Sequence, residues 1–237
     1  MNRILFEKGE ISSGVATFGG VRAEHVLKVL HGEVGQTLKT GEVDGPIGTG
    51  EITAIEDGLV TVRLTHDAEA LAPWVDLILA PPRPRVMKRL LPQLASLGVG
   101  RIVLVGAKKV EKDFWGATLL KEEIYRPLLI DGLMQAGTTA LPTISTVRNF
   151  RKWLCDDLDG EFSTSNRIVA HPYGADSRPD CAEKSGRLLL AVGPEGGWTD
   201  EEVALLEEKG FARYSLGPRI LRTDTAVVAL LSRLCQT

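Results

Sequence analysis

Apolar and polar positions change their rhythm near residue 73. Over residues 1–72 short runs alternate in polarity, as in GEITAIE and LVTVRLTH, and glycine-rich stretches such as Gly41 to Gly50 separate them. A period of two with such punctuation predicts short strands. One patch, AEHVLKVLH, has helical spacing and places Val26, Leu27 and Leu30 on one face. Short strands around a single short helix predict a small β-barrel. Pro73 lies in ALAPW (Ala70 to Trp74) and breaks any helix, so this segment is expected to be a linker.

From Trp74 onward the runs DLILA, RIVLVG, NRIVAHP, RLLLAVG and ARYSLG read as strands, with helical periods between them. The first helix repeats apolar residues at Met87, Leu90, Leu91, Leu94 and Leu97 and stops at Gly98. A second is expected from Leu120 to Gln135, although Pro127 deletes one of its backbone donors. The last begins near Thr223 and ends near Cys235. Alternation of this kind predicts an α/β domain with a mainly parallel sheet. The expected organisation is therefore a β domain over residues 1–72 and an α/β domain over residues 73–237.

Composition narrows the class. The 237 residues are 43% hydrophobic and 25% charged, within the ordinary globular range. No apolar run approaches the ~18–20 residues that would span a bilayer, so no membrane association is expected. The start, MNRILFEKGE, carries charges where a signal peptide would need an apolar stretch. Cys155, Cys181 and Cys235 are odd in number and form no CxxC, which argues against a disulfide framework or a metal site and suits a reducing cytoplasm. The net charge is −3, but it is unevenly spread. Residues 1–72 hold six Lys/Arg against eleven Asp/Glu, and residues 73–237 hold twenty-two against twenty. Arg83, Arg85, Lys88 and Arg89 form the densest basic cluster. It reads either as a solvated helix start or as a track for RNA phosphates.

Two loops carry the candidate chemistry, because each leaves a strand and opens a helix, where ligands of open α/β sheets sit. In the first, Gly193 to Gly197 (GPEGG), Pro194 stiffens the strand exit, and Gly196 and Gly197 admit positive φ and close approach of a ligand. Thr199 and Glu202 have capping-box spacing. Neither GK[ST] nor GxGxxG is present, which counts against nucleotide hydrolysis and dinucleotide binding. In the second loop, Leu216 to Ala226, Thr223 or Thr225 would make a natural N-cap and Asp224 suits a helix N-terminus. Arg222, a cation beside a positive helix end, calls for an anionic partner or substrate. Trp198 is expected to pack in the core and seal the turn.

GPEGG followed by LGPRILRTDTA resembles the C-terminal signature of the SPOUT methyltransferases, and most closely those of the RsmE type, which methylate N3 of a uridine in small-subunit ribosomal RNA. HVLKVLHGEVGQTL resembles a segment of that family's PUA-like RNA-binding domain, and LASLGVGRIVLV resembles the first helix-to-strand step of its catalytic domain. KVEKDFWGATLL and LMQAGTTALPTI are similar to a subgroup. Three positions depart from the pattern: Asp224 replaces a more usual glutamate, and Ala136 and Thr138 stand where serine and arginine are common.

The resemblance implies a parallel sheet with a C-terminal trefoil knot, preceded by a PUA-like barrel, and a homodimer. It implies S-adenosylmethionine held by Ala170, His171 and Pro172, by Gly193, Pro194, Glu195, Gly196 and Gly197, and by Leu216, Gly217, Leu221, Arg222, Thr223, Thr225 and Ala226. It further implies an RNA partner, small-subunit ribosomal RNA within an assembled subunit, since the acidic N-terminal part suits recognition by shape and few contacts. Uracil N3 carries a proton, so a base is needed, either Asp224 or Glu195. Arg222 would stabilise charge spreading onto O2 and O4. His171 is expected to line the cofactor site or serve the structure rather than act as base. Three alternatives stay open: a non-catalytic RNA-binding or ribosome-assembly protein, a related enzyme with another RNA target, and an α/β enzyme for a small phosphorylated molecule.

Overall fold

The computed structural model describes residues 2–173 and 186–235, so Cys181 lies outside the described residues. The chain divides into two compact units, Met1–Ala72 with Leu129–Leu141, and Pro73–Leu128 with Pro142–Thr237.

The first unit holds strands β1 (Ile4–Phe6), β2 (Ile11–Ser12), β3 (Val15–Phe18), β4 (Thr37–Glu42), β5 (Ile47–Glu56) and β6 (Leu59–Ala68) in the order β1-β4-β5-β6-β3-β2. β1 and β4 run parallel and the remaining pairs are antiparallel. Alternation buries Val60 and Val62 of β6 with Ile52 of β5, around an edge-to-face pair of Phe6 and Phe18 with centroids 5.4 Å apart. The expected turn over Gly41 to Gly50 contracts, because Ile47 to Gly50 pair as strand with both β4 and β6. The helical patch also differs from expectation. α1 (Gly20–Glu24) passes into a π-turn over His25–Val29, so the face does not continue regularly. Val26 is buried and Leu27 half-buried, but Leu30 is exposed.

Nothing in the pattern announced that Leu129–Leu141 would join this unit. Hydrogen bonds explain it. The Arg3 guanidinium donates to the carbonyls of Thr40 (2.6 Å), Gly48 (3.0 Å) and Gly137 (3.0 Å). The Thr139 hydroxyl donates to the Gly45 carbonyl at 2.6 Å, and the Leu141 amide to the Asp44 carboxylate at 2.7 Å. Through Gly137, Thr139 and Leu141 these bonds tie the segment to Arg3 and to the turn between β4 and β5.

The second unit is α/β. Its strands are β7 (Val75–Leu79), β8 (Val99–Val105), β9 (Thr143–Val147), β10 (Arg167–Ala170), β11 (Leu188–Val192) and β12 (Ala212–Tyr214). They form one sheet in the order β12-β10-β11-β7-β8-β9, and every neighbouring pair is parallel. β7 and β11 are buried at every position, as expected of parallel strands covered on both faces. Its helices are α2 (Pro84–Ser96), α4 (Phe150–Asp156), α5 (Leu158–Glu161), α6 (Asp200–Glu208) and α7 (Thr223–Leu234), while α3 (Glu122–Ala136) begins in this unit and passes at Leu129 into the first. β9, α4 and α5 carry too short a pattern to have been predicted. α2 follows its expected stripe, burying Met87, Leu90, Leu91 and Leu94, though Leu97 falls at its C-cap. Pro84 sits at the start of α2, where its missing donor costs nothing. α2 packs against α7, which brings the basic helix beside the last loop of the chain. Among the described residues no helix is long and apolar enough to cross a membrane.

Candidate active site

Three consecutive strand ends converge. β10 runs out into Ala170, His171 and Pro172, and the His171 amide extends the ladder by donating to the Tyr214 carbonyl of β12 at 3.0 Å. β11 runs out into Gly193 to Gly197, and β12 into Ser215 and Leu216. Together they line a cavity of about 430 Å³ at the carboxyl edge of the sheet. The size is that of a small-molecule site.

The β11 loop is shaped by its glycines and its cap. The Gly197 amide donates to the Pro194 carbonyl at 2.8 Å, which closes the turn. Gly197 has φ +68°, a region that a β-carbon disfavours. Thr199 then caps α6: its hydroxyl accepts from the Glu202 amide, and the Glu202 carboxylate accepts from the Thr199 amide at 2.8 Å. This is the capping box expected from the spacing. Trp198 is buried and stacks on Phe150 with centroids 5.2 Å apart, so it does pack in the core. It also lines the cavity, and its indole Nε1 is buried with no hydrogen-bond partner among the described residues. A β-carbon on Gly193 would stand 3.1 Å from that indole, so a larger residue at the strand exit would press on the ring.

The third segment is stitched to the first by a residue the sequence did not single out. The Ser215 hydroxyl accepts from the Gly217 amide at 3.1 Å and donates to the Pro172 carbonyl at 3.1 Å. On the β10 segment, the His171 Nδ1 lies 2.7 Å from the Tyr173 carbonyl and 3.2 Å from its amide, a local bond that fixes the ring.

Of the predicted cofactor residues, Ala170, His171, Pro172, Gly193, Pro194, Glu195, Gly196, Gly197, Leu216, Gly217, Leu221, Thr223 and Ala226 all line the cavity. Arg222, Asp224 and Thr225 stand outside that lining, at the start of α7. Neither threonine is the cap. Arg222 is the N-cap residue, without a side-chain bond, and Thr223 is already the first helical residue. The Thr225 amide is served instead by the Asp224 carboxylate at 3.0 Å.

Asp224 is the centre of a charged group. Its Oδ1 lies 3.7 Å from Arg222 Nε and its Oδ2 lies 3.7 Å from Arg89 Nη2. The Arg222 side chain is 70% exposed, so its positive end is open to an incoming polyanion. Arg83, Arg85, Lys88 and Arg89 are all exposed or partly so, along the first turns of α2. Arg83 donates to the Glu111 carboxylate at 3.0 Å, while Arg85 and Lys88 make no ion pair among the described residues. The structure thus brings one end of the basic cluster to the loop that carries Arg222. Sequence reasoning missed Lys109, Asp200, Tyr214 and Ser215, which also line the cavity, as do Arg219 and Ile220 from within the expected Leu216 to Ala226 loop. Tyr214 and Ser215 were reachable as the end of the ARYSLG strand, whereas Lys109 carries no local signal.

Comparison with known proteins supplies a frame for this geometry. The family model of an RNA methyltransferase domain matches residues 70–235. A ribosomal RNA small subunit methyltransferase E from Treponema pallidum is 33% identical over 97% of this chain and 88% of its own length. A protein from Legionella pneumophila, solved in complex with the bound cofactor SAM, is 26% identical with a TM-score of 0.75, covering 98% of this chain and 96% of that one. A ribosomal RNA small subunit methyltransferase E from Neisseria gonorrhoeae, solved with S-adenosylmethionine, has a TM-score of 0.77 at 24% identity over 99% and 96% of the two chains, a likeness of fold.

Proposed function

The chain belongs to the RNA methyltransferase family, among the ribosomal RNA small subunit methyltransferase E proteins, and from that membership we propose that it methylates small-subunit ribosomal RNA from S-adenosylmethionine, at N3 of a uridine. The observation that carries this reading is the convergence of three strand-end segments on one cavity that holds an unpartnered buried indole N–H.

The residues present fit the cofactor. Trp198 offers a donor that no other described residue uses, and the glycines at 193, 196 and 197 leave backbone accessible along the wall. Glu195 and Asp200 are carboxylates on the lining that suit an ammonium. When bound, the cofactor supplies a methyl group on a sulfonium, electrophilic enough to need no metal. The protein's work is to hold the uracil N3 in line with that methyl, and orientation alone is worth on the order of 7–11 kcal/mol. The N3 proton leaves to a carboxylate, Asp224 beside Arg222 or Glu195 on the cofactor loop, as the nitrogen attacks. Arg222 faces the negative charge that spreads onto O2 and O4. Arg85, Lys88 and Arg89 track the RNA backbone toward that point.

The same reading extends to organisation. It includes a C-terminal trefoil knot that carries the cofactor segments, and a PUA-like barrel over residues 1–72 that recognises RNA by shape. The enzyme works in the cytoplasm on an assembled ribosomal subunit. Leu216, Ile220 and Leu221 leave apolar surface exposed in the β12–α7 loop, which supports a homodimer that covers it.

Calorimetric titration with S-adenosylmethionine tests the reading, followed by mapping methylated uridines in ribosomal RNA from a deletion strain. Binding by the wild type and its loss in Gly196→Val are expected. A folded wild type that binds no S-adenosylmethionine would overturn the assignment in favour of a non-catalytic RNA-binding protein.

A further inference from the structure

Lys109 lies in the segment after β8, outside all three strand-end segments, yet it lines the cavity. Its Nζ donates to the Gly196 carbonyl at 2.8 Å. Its stem lies over the same glycine, so that a β-carbon on Gly196 would stand 3.0 Å from Lys109 Cδ. The peptide joining Gly196 to Gly197 is therefore tied at both ends, its carbonyl to Lys109 and its amide to the Pro194 carbonyl at 2.8 Å. One residue earlier, the Lys108 amide donates to Glu202 Oε1 at 2.8 Å, while Oε2 of that carboxylate caps α6 at Thr199. The Lys108–Lys109 segment thus holds the loop within its turn, at Gly196, and the first turn of α6 that follows it, at Glu202.

Resting on the functional reading above, we propose that Lys109 is a positioning residue for the cofactor: its ammonium fixes the Gly196–Gly197 peptide so that the β11 loop presents one shape to S-adenosylmethionine. A loop of adjacent glycines has many backbone conformations to lose on binding, and a charged donor on its carbonyl removes much of that freedom beforehand. Lys109 itself is exposed and its anchor is a backbone atom, so its loss leaves the core intact.

The full-length protein with Lys109→Met and Lys109→Arg tests this. Methionine keeps the stem and removes the donor. Affinity for S-adenosylmethionine, read by calorimetry, is expected to fall about tenfold in Lys109→Met, as suits one charge-assisted hydrogen bond. KM for the cofactor should rise in parallel while kcat stays within about twofold, because a pre-ordered loop serves ground and transition states alike. Lys109→Arg should restore most of the affinity, and the melting temperature without cofactor should be unchanged in both. A Lys109→Met protein that binds as tightly as a wild type that does bind would overturn the role of Lys109 alone. A wild type that binds no S-adenosylmethionine would overturn the functional reading and this role together.

Discussion

Arg89 on α2 stands 3.7 Å from the carboxylate of Asp224 at the start of α7, and the same carboxylate stands 3.7 Å from Arg222. Packing of α2 on α7 creates this arrangement from residues far apart in the chain. Exposed ion pairs at such distances contribute roughly 0–1 kcal/mol to stability, so their interest lies in what they place. Two guanidiniums flank one carboxylate at the start of α7, beside the loop that lines the cavity.

Arg222→Ala is expected to separate binding from turnover. Arg222 lies outside the cavity lining, so S-adenosylmethionine affinity should stay within a few-fold of the wild type. Losing one donor to a developing oxyanion typically costs about 2.7–4 kcal/mol, on the order of 10²–10³ in rate. Single-turnover methylation beside calorimetry checks this, and equal losses in both would remove Arg222 from the chemistry.

The basic face of α2 predicts a salt effect. Lys88 is exposed, Arg85 is at the same face, and neither is ion-paired among the described residues. A side chain that neutralises one RNA phosphate adds roughly one to the slope of log K against log salt, so its removal should lower that slope by the same amount. Arg85→Ala and Lys88→Ala should each do so while leaving cofactor affinity unchanged. Salt slopes identical to the wild type would show that this face is merely solvated.

Trp198 offers a contrast between packing and hydrogen bonding. Trp198→Ala removes a buried ring stacked on Phe150 and should cost about 3–5 kcal/mol in urea unfolding. Trp198→Phe keeps an aromatic ring there and deletes the unpartnered indole N–H, so it should cost clearly less in the free protein. If the N–H serves the cofactor, the thermal stabilisation that S-adenosylmethionine gives the wild type should shrink in Trp198→Phe. Undiminished stabilisation would assign the ring to packing alone.

His66 makes the first unit sensitive to acid. Burial pulls its pKa below the usual 6.5, helped by the nearby charge of Arg3 and opposed by Glu42 and Asp67, and its Nε2 lies 3.0 Å from the Thr40 hydroxyl. A histidine that holds its proton less well when folded leaves the unfolded chain binding more protons, so stability falls as pH drops below 6.5. His66→Gln should flatten that slope. Denaturant titrations between about pH 5 and 7.5, the range in which histidine changes charge, would show it, and an unchanged slope would exclude His66 as its source.

How much of this was legible in the chain varies by element. The capping box of Thr199 and Glu202, the glycine turn before it, the fully apolar strand β11 and the largely apolar β7 are local facts. Neighbours a few residues apart decide them, so the sequence by itself determined them, along with the parallel class of the second sheet and the resemblance in its last two loops. The tertiary structure decided the rest. Leu129–Leu141 joins the first unit because Arg3, Gly45 and Asp44 bond to it, and no periodicity encodes a partner more than a hundred positions away for Arg3. Leu30 lost its place in the core when the helix widened into a π-turn. Lys109 and Ser215 entered the site through bonds to the Gly196 and Pro172 carbonyls. Backbone atoms are the same at every residue, so a side chain that recognises one leaves no mark of its partner in the sequence. Arg89 met Asp224 only because two helices packed side by side.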